Sequence, residues 1–310
     1  ASAVAKVSLH EALEENEVSV TPRVLVIGGG IAGIQASLDI AHSGFEVYLV
    51  EKSPSLGGHL AQLDRTFPDL EETSSILVPR LKELGNHPLV HLVTYSENEK
   101  IEGFVGNFKV TVTQNPRYVS PEKCNLCKKC EAVCPVTVPS EFNMGLAERK
   151  AIYLSSPYAV PHTYLIDSEH CLSLQKKECG KCREVCPEGA IQFEEVGIDF
   201  QIDVGTIIVA TGYDAFDPRL KPEFGYGRYK NVITGLEFER LASADGPTQG
   251  KILIDGKEPK NIVFIQCVDL GGHPIIKKNC SRVCCMYTAK QAHLTKARLP
   301  QPRVPARYID

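Results

Sequence analysis

Apolar positions recur along the chain in two periods. Val24 to Ile27 and Val47 to Val50 are short, wholly apolar runs, the pattern of strands buried on both faces. Between them, Ala36, Leu38, Ile40 and Ala41 supply the apolar contacts of a helix that Gly44 ends. Alternation marks two further strands, Asn107 to Val112 and Ile198 to Val204. Another apolar run, Asn261 to Gln266, precedes a helical stretch over Val283 to Ala297 and a last strand over Val304 to Asp310. At the other end, Val4, Val7, Leu9 and Leu13 space an amphipathic helix over Ala1 to Asn16. A helix this short does not stand alone, so it packs on the first domain or a partner, or stays a loosely docked tail.

With 310 residues, 43% hydrophobic and 23% charged, the chain has room for two or three small globular domains. A net charge of −4 and a pI near 6.2 argue against nucleic acid as a partner. No apolar run approaches the roughly 18 residues of a membrane span. With no targeting segment in view, the expected compartment is the cytoplasm, where twelve cysteines indicate metal rather than bridges.

Eight of those cysteines lie between Pro121 and Ala190. Cys124, Cys127, Cys130 and Cys134-Pro135 follow the C-x2-C-x2-C-x3-C-P spacing of a bacterial-type ferredoxin. Cys171, Cys179, Cys182 and Cys186-Pro187 repeat it with a first gap of seven residues instead of two. A cubane 4Fe–4S cluster needs one thiolate per iron. Three thiolates on a tight loop reach three irons, and the fourth cysteine of each run crosses to the other cluster. The spacing thus assigns Cys124, Cys127, Cys130 and Cys186 to one cluster, and Cys134, Cys171, Cys179 and Cys182 to a second. Structural zinc would favour two C-x2-C pairs without the x3-C-P ending, and disulfides would need an oxidising compartment.

After the first strand comes Gly28-Gly29-Gly30-Ile31-Ala32-Gly33, and Glu51 closes the second strand. This is a full dinucleotide-binding βαβ fingerprint. Gly28 allows the tight turn, Gly30 lets the backbone approach a pyrophosphate, and Gly33 lets helix and strand pack closely. The helix start at Ile31 and Ala32 offers N–H groups to the diphosphate, and Glu51 can accept from the ribose hydroxyls. Two features favour FAD over NAD. Lys52 to Gly57-Gly58-His59 resembles the extended flavoprotein signature, and Ala210-Thr211-Gly212 resembles the A-T-G motif that returns the chain beside the flavin. Both belong to flavoproteins of the thioredoxin-reductase kind.

The organisation expected is α/β. A Rossmann-type FAD-binding domain spans 21–117 and 196–250, after an N-terminal helix or linker over 1–20. An α+β two-cluster ferredoxin domain is inserted over 118–195, between strands whose ends are neighbours. An incomplete second Rossmann-like unit occupies 251–310. Two strands leave edges and faces uncovered there, which predicts further chain or another subunit to complete the layer. In place of a second glycine fingerprint stand Cys267, Cys280, Cys284 and Cys285. Their spacing leaves two readings open, a third cluster or ordinary thiols, because adjacent cysteines are awkward ligands for one cubane.

Several stretches together resemble the central part of HdrA, the iron–sulfur flavoprotein of heterodisulfide reductase. They are Val26 to Gly33, Val50 to Lys52, Gly57 to Leu63, Gly106 to Val110, Pro116 to Val119, Asn231 to Leu241, Phe264 to Cys267 and Cys280 to Tyr287. The resemblance implies that the last four cysteines hold a cluster in the flavin core. It also implies an electron-transferring, electron-bifurcating role, in company with the other subunits of such a complex. A hydrogenase or formate-dehydrogenase partner would deliver an electron pair, divided between ferredoxin and a disulfide-reducing subunit. A homodimer is a further assembly compatible with it. The chain departs from the family where relatives carry cysteines in a Phe-Pro-Thr-Leu-Asp-Cys-Ser-x-Cys segment, since Glu72 and Ser75 stand there. Val268 to His273 also differs from the family's Gly-Ser-Arg-containing stretch. The disulfide-cleaving repeat of the partner subunit is not found in these residues.

His59, His162 and His170 are candidates for flavin contacts or proton transfer, against the commoner role of structural histidines. Lys176-Lys177 and Lys277-Lys278 read as solvated faces, with docking of an acidic ferredoxin as the alternative. The same flavin core would also serve in a quinone-linked or aromatic acyl-CoA-reducing complex. The reading from another class is a scaffold whose clusters only stabilise the fold.

Overall fold

The computed structural model describes residues 19–268, 283–300 and 302–308, together with Lys6 and Glu17. The helix expected over 1–16 lies outside the described residues apart from Lys6, and Gly271, Gly272, His273, Lys277, Lys278 and Cys280 lie outside them as well.

Strand β1 (Arg23–Ile27), helix α1 (Ile31–His42) and strand β2 (Glu46–Glu51) follow one another as the apolar periods predict. Helix α2 (Thr73–Asn86) then leads to β3 (Val90–Thr94), and β4 (Ser96–Phe104) turns back into β5 (Asn107–Gln114). The cysteine-rich stretch contributes short elements only. They are α3 (Lys129–Val133), β6 (Thr137–Pro139), β7 (Glu148–Lys150), β8 (Ile152–Tyr153), β9 (Leu165–Ile166), α4 (Leu172–Lys176) and α5 (Lys181–Glu184). The chain returns through β10 (Ile198–Val204) and β11 (Thr206–Val209). It continues into α6 (Gly235–Ala242), β12 (Phe264–Gln266), α7 (Val283–Arg298) and β13 (Ala306–Tyr308).

β11, β1, β2 and β3 form one parallel sheet in that order. β10, β5 and β4 form an antiparallel sheet beside it. Successive residues of β1 serve opposite cores, because side chains alternate along a strand. Val24 and Val26 face α1 and α2, with Ile34, Leu38, Leu77, Leu81 and Leu84. Leu25 and Ile27 face the antiparallel sheet, with Val110, Val112, Ile202 and Val204. The result is three layers, helices on parallel sheet on antiparallel sheet, with the alternating strands read from the sequence forming the third. β12 and β13 pair in parallel with α7 between them, so residues 264–308 repeat a βαβ connection.

Residues 115–197 leave the antiparallel sheet at Gln114 and rejoin it opposite the same residue at Ile198. Just inside, Val119 bridges Ile191, Ser120 N–H donates to Ala190 O, and Gln192 N–H donates to Tyr118 O. The segment has its own core, in which Val119, Ile152, Tyr164, Ile166 and Ile191 surround Cys130, Cys171 and Cys182. Its separation is incomplete, since Phe142, Tyr158 and Val160 pack against the helix-side core of the parallel sheet.

Helix α6 begins with a capping box: Thr234 accepts the Glu237 N–H, and the Glu237 carboxylate accepts the Thr234 N–H. Thr234→Ala should lower stability by about 1 kcal/mol, seen as an earlier urea midpoint with an unchanged slope.

Candidate functional site

The strand order turns around between β1 and β11, since β2 and β3 lie on one side of β1 and β11 on the other. In open α/β sheets such a reversal opens a crevice beyond the carboxyl ends of the strands. All three nucleotide motifs meet there. Gly28 leaves β1 with φ +107°, and its N–H donates to Val50 O of β2. A Cβ on Gly28 would lie 2.4 Å from the carbonyl oxygen of Ala210, so the turn and the A-T-G segment touch backbone to backbone. Ala210 N–H donates to Ile27 O, which brings Thr211 and Gly212 to the end of β1. Gly33 sits under the turn; a Cβ there would be 1.9 Å from Gly28 O.

Gly30 differs from both. Nothing lies within 4 Å of the position its Cβ would take, and its backbone is extended at φ −75°. It caps α1 without a side-chain acceptor, so the first N–H groups of the helix, at Ile31, Ala32 and Gly33, lack an intrahelical partner. An open space beside a free helix N-terminus suits an anionic diphosphate, and the residues fit FAD in this respect. Gly57 N–H donates to Gly29 O, and a Cβ on Gly58 would come 3.0 Å from Gly30 Cα. The second glycine pair therefore forms the opposite lip of the same opening. The Glu51 carboxylate accepts the N–H groups of Gly29 and Ser53, bracing the glycine loop at the end where a ribose is expected. Lys52 pairs with Glu97 at 3.7 Å on the surface.

His59 bridges two of these motifs. Its Nδ1 lies 2.9 Å from Gln62 Oε1, its Nε2 lies 3.1 Å from Tyr213 O, and its ring is 4.7 Å from that of Tyr213. Tyr213 directly follows the A-T-G motif, the one sequence signal that marks it; nothing local points to Gln62. His170 instead bonds Asp167 at 2.9 Å in the cysteine-rich unit, away from this crevice.

The cysteine-rich unit brings thiols of its two runs close to one another. Cys134, Cys171, Cys179 and Cys182 all line one cavity, walled by Ile152, Ile166 and Phe193 among others. Cys134 comes from the first run and the other three from the second. Burial pushes the Cys182 thiol up to about 12, with Cys171 the nearest electrostatic neighbour and Cys130 and Cys134 beyond it. Burial likewise pushes Cys130 up to about 11, with Cys124 and Cys127 adding to the rise. The loop that carries Cys124 to Cys130 curls with Leu126 and Lys128 in the left-handed region. Cys186 packs on the same core and accepts the Ala190 N–H at 3.3 Å. The eight cysteines form no disulfides. Among the described residues no three His, Cys, Asp or Glu side chains converge on one ion position. Thiolates of a cubane bond four separate irons, so they need no such convergence, and a cavity lined by four thiols fits a cluster in this respect.

Cys267, Cys284 and Cys285 also approach one another. Burial raises the Cys284 thiol, and Cys285 and Cys267 raise it further. Tyr287 stands beside them and feels Cys284, Tyr213 and Cys285 in turn, after its own burial. Of these residues, only Tyr213 is seen in contact with His59 at the nucleotide crevice. Glu72 and Ser75 take ordinary structural roles: Glu72 pairs with Arg65 at 3.0 Å, and Ser75 donates to Glu71 and to the Glu72 carbonyl at the start of α2. No helix among the described residues is long and apolar enough to cross a membrane.

Residues 23–86 match the family model described as FAD dependent oxidoreductase. The A subunit of the H(2):CoB-CoM heterodisulfide,ferredoxin reductase of Methanothermobacter marburgensis is 48% identical over 310 residues, which is 99% of this chain and 46% of that protein. The iron-sulfur A subunit of the CoB--CoM heterodisulfide reductase of Methanocaldococcus jannaschii is 47% identical over 312 residues, 100% of this chain and 47% of that one. The A subunit of the Ferredoxin/F(420)H(2)-dependent CoB-CoM heterodisulfide reductase of Methanosarcina acetivorans is 40% identical, over 99% of this chain and 38% of that one. Among solved structures, L-proline dehydrogenase from P. horikoshii overlaps 33% of this chain and 21% of its own, at 22% identity and a TM-score of 0.27. The chain spans about half the length of the curated relatives it matches. With a flavoprotein fingerprint, a crevice that fits it and near-half identity along nearly its whole length, the chain corresponds to about half of the A subunit of heterodisulfide reductases, HdrA.

Proposed function

We propose that this chain is the flavin-centred part of an electron-transfer protein that relays or splits electrons within a heterodisulfide-reductase-like complex. The observation that carries the reading is the cavity shared by Cys134, Cys171, Cys179 and Cys182. Thiols of two separate runs meet at one point, as paired ferredoxin clusters require. In this reading residues 118–195 are an inserted ferredoxin domain. Cys124, Cys127, Cys130 and Cys186 hold one 4Fe–4S cluster, the cavity quartet a second, and Cys267, Cys280, Cys284 and Cys285 a third beside the flavin. Residues 251–310 form part of a second Rossmann-like unit.

FAD exchanges electrons singly or in pairs, whereas each cluster carries one, so clusters around a flavin can divide a pair. The residues of the chain supply placement. Gly30 and the first turn of α1 receive the diphosphate, and Glu51 and the Gly57-Gly58 lip close over the nucleotide. His59, held against Tyr213, stands at the edge of the crevice. The donor would be a hydrogenase- or formate-dehydrogenase-type partner. The acceptors would be ferredoxin and a disulfide-reducing subunit.

Anaerobic purification of the full protein with its partners is the test. Residues 1–310, prepared anaerobically on their own, should hold one FAD and about twelve irons, and in the full complex the flavin should be reduced by the native donor. Coupled reduction of ferredoxin would establish splitting. About eight irons would remove the third cluster, and absence of iron would refute the ferredoxin assignment.

A further inference from the structure

Helix α6 lies where the parallel-sheet unit, the cysteine-rich unit and α7 meet. Its last six residues are all buried although Glu237, Glu239 and Arg240 are charged. Arg240 has no exposed surface. Its Nε donates to Asn143 Oδ1 at 3.1 Å, one terminal nitrogen to the Gln62 carbonyl at 3.2 Å, and the other to Asp245 Oδ1 at 3.1 Å. The guanidinium also stands 4.5 Å from the ring centre of Phe142. Gln62, besides contacting His59, donates to the Phe142 carbonyl at 3.1 Å. The loop that follows Gly57-Gly58 is therefore tied twice to residues 142–143 of the cysteine-rich unit.

Glu239, the next residue along α6, is equally buried and serves a different neighbour. It takes Lys290 Nζ at 2.9 Å and Gln291 Nε2 at 2.8 Å, both on α7, and the Asp64 N–H at 3.2 Å. Lys290 also donates to the Arg65 carbonyl at 2.7 Å, and Arg298 at the end of α7 reaches Asp64 at 2.6 Å. α7 is the helix that carries Cys284 and Cys285 in its first turn. Packing alone would hold these elements with less desolvation, since a buried ion pair is often no more stable than apolar residues of the same volume. What forked, directional bonds add is a fixed register between the elements they join.

We infer that Arg240 and Glu239 are positioning residues for electron transfer. Arg240 sets the His59 loop against the cysteine-rich unit, and Glu239 sets the same loop against the helix of Cys284 and Cys285. Since this role has meaning only if flavin and clusters bind as proposed above, the test separates the two. It uses the full-length protein in its complex, purified anaerobically as wild type, Arg240→Met, Arg240→Lys and Asn143→Ala. Arg240→Met should retain FAD and iron but pass electrons from reduced flavin to the clusters roughly tenfold more slowly in stopped flow, as expected for misplaced redox partners. Hydrogen exchange should rise in residues 58–65 and 140–146 while β1, β2 and β3 stay protected. Arg240→Lys should recover only part of both, because one ammonium cannot reproduce the planar fork. Asn143→Ala, which removes one acceptor and leaves the ion in place, should show a smaller change of the same kind and decides the matter if Arg240→Met does not fold. Unchanged transfer and exchange in loaded Arg240→Met or Asn143→Ala would overturn the inference, as would loss of protection throughout the chain. Wild-type protein without FAD or iron would instead sink the electron-transfer reading, while the exchange pattern would still judge the joint.

Discussion

Gly30→Val should give a folded protein that has lost its FAD, whereas Gly33→Ala should give little folded protein at all. Both glycines belong to one motif, but their surroundings differ. A Cβ on Gly33 would fall 1.9 Å from the Gly28 carbonyl oxygen, which is itself fixed by the bond from Gly28 N–H to β2. Neither backbone can yield without separating α1 from β1, so the cost exceeds the usual 1–3 kcal/mol of overpacking. At Gly30 the same atom would enter open space, and the extended backbone suits a valine. On the proposed reading, what it displaces is the diphosphate. Thermal melting should therefore be nearly unchanged for the apo forms of wild type and Gly30→Val, with flavin content below a tenth of wild type after purification, about 1.4 kcal/mol or more of lost binding. Retention of FAD by Gly30→Val would move the phosphate site elsewhere.

Cys182→Ser should remove about four irons per chain, and Cys134→Ser should remove the same four. The two residues stand in different sequence runs but share one cavity with Cys171 and Cys179. The double variant should then lose no more iron than either single one. Cys124→Ser should remove a different set, so combining it with Cys182→Ser should take about eight. Additive losses from Cys134→Ser and Cys182→Ser would show that the crossing of the fourth cysteine is wrong, even with iron present in the wild type. Iron analysis and the cluster absorbance band of anaerobically prepared protein are sufficient readouts.

How far the chain can be read from its sequence depends on whether the relevant forces are local. The turn at Gly28 to Gly33 and the curl of Cys124 to Cys130 are short-range steric devices, and their residue types declare them. The alternation of Ile198 to Val204 does the same for β10. Two other elements give no such signal. α2 carries Pro79 in its interior, which reads as a break, and β4 is polar on nearly every residue because most of it faces solvent. α6 is hidden for a stronger reason. Glu237, Glu239 and Arg240 look like a solvent face, and charged residues are buried only when partnered. Thr234, Tyr226 and Asp245 lie nearby, but Asn143 and Lys290, which take Arg240 and Glu239, come from distant chain, so no short window of sequence contains the whole reason for their burial. Gln62, which holds His59 and reaches the Phe142 carbonyl, is legible only after folding.

The neck of the cysteine-rich unit, where Val119 meets Ile191, bears on how newly made chains mature. β5 and β10 must pair across some eighty intervening residues. Closing an open coil of that length costs roughly 2–3 kcal/mol more than a tight turn. A folded unit with adjoining ends removes most of that penalty, and on the proposed reading iron is what helps so small a core to fold. The antiparallel layer, and with it the second face of the parallel sheet, would then close only after metal arrives. A cell short of iron would hold these chains open to proteases instead of accumulating protein loaded with flavin alone.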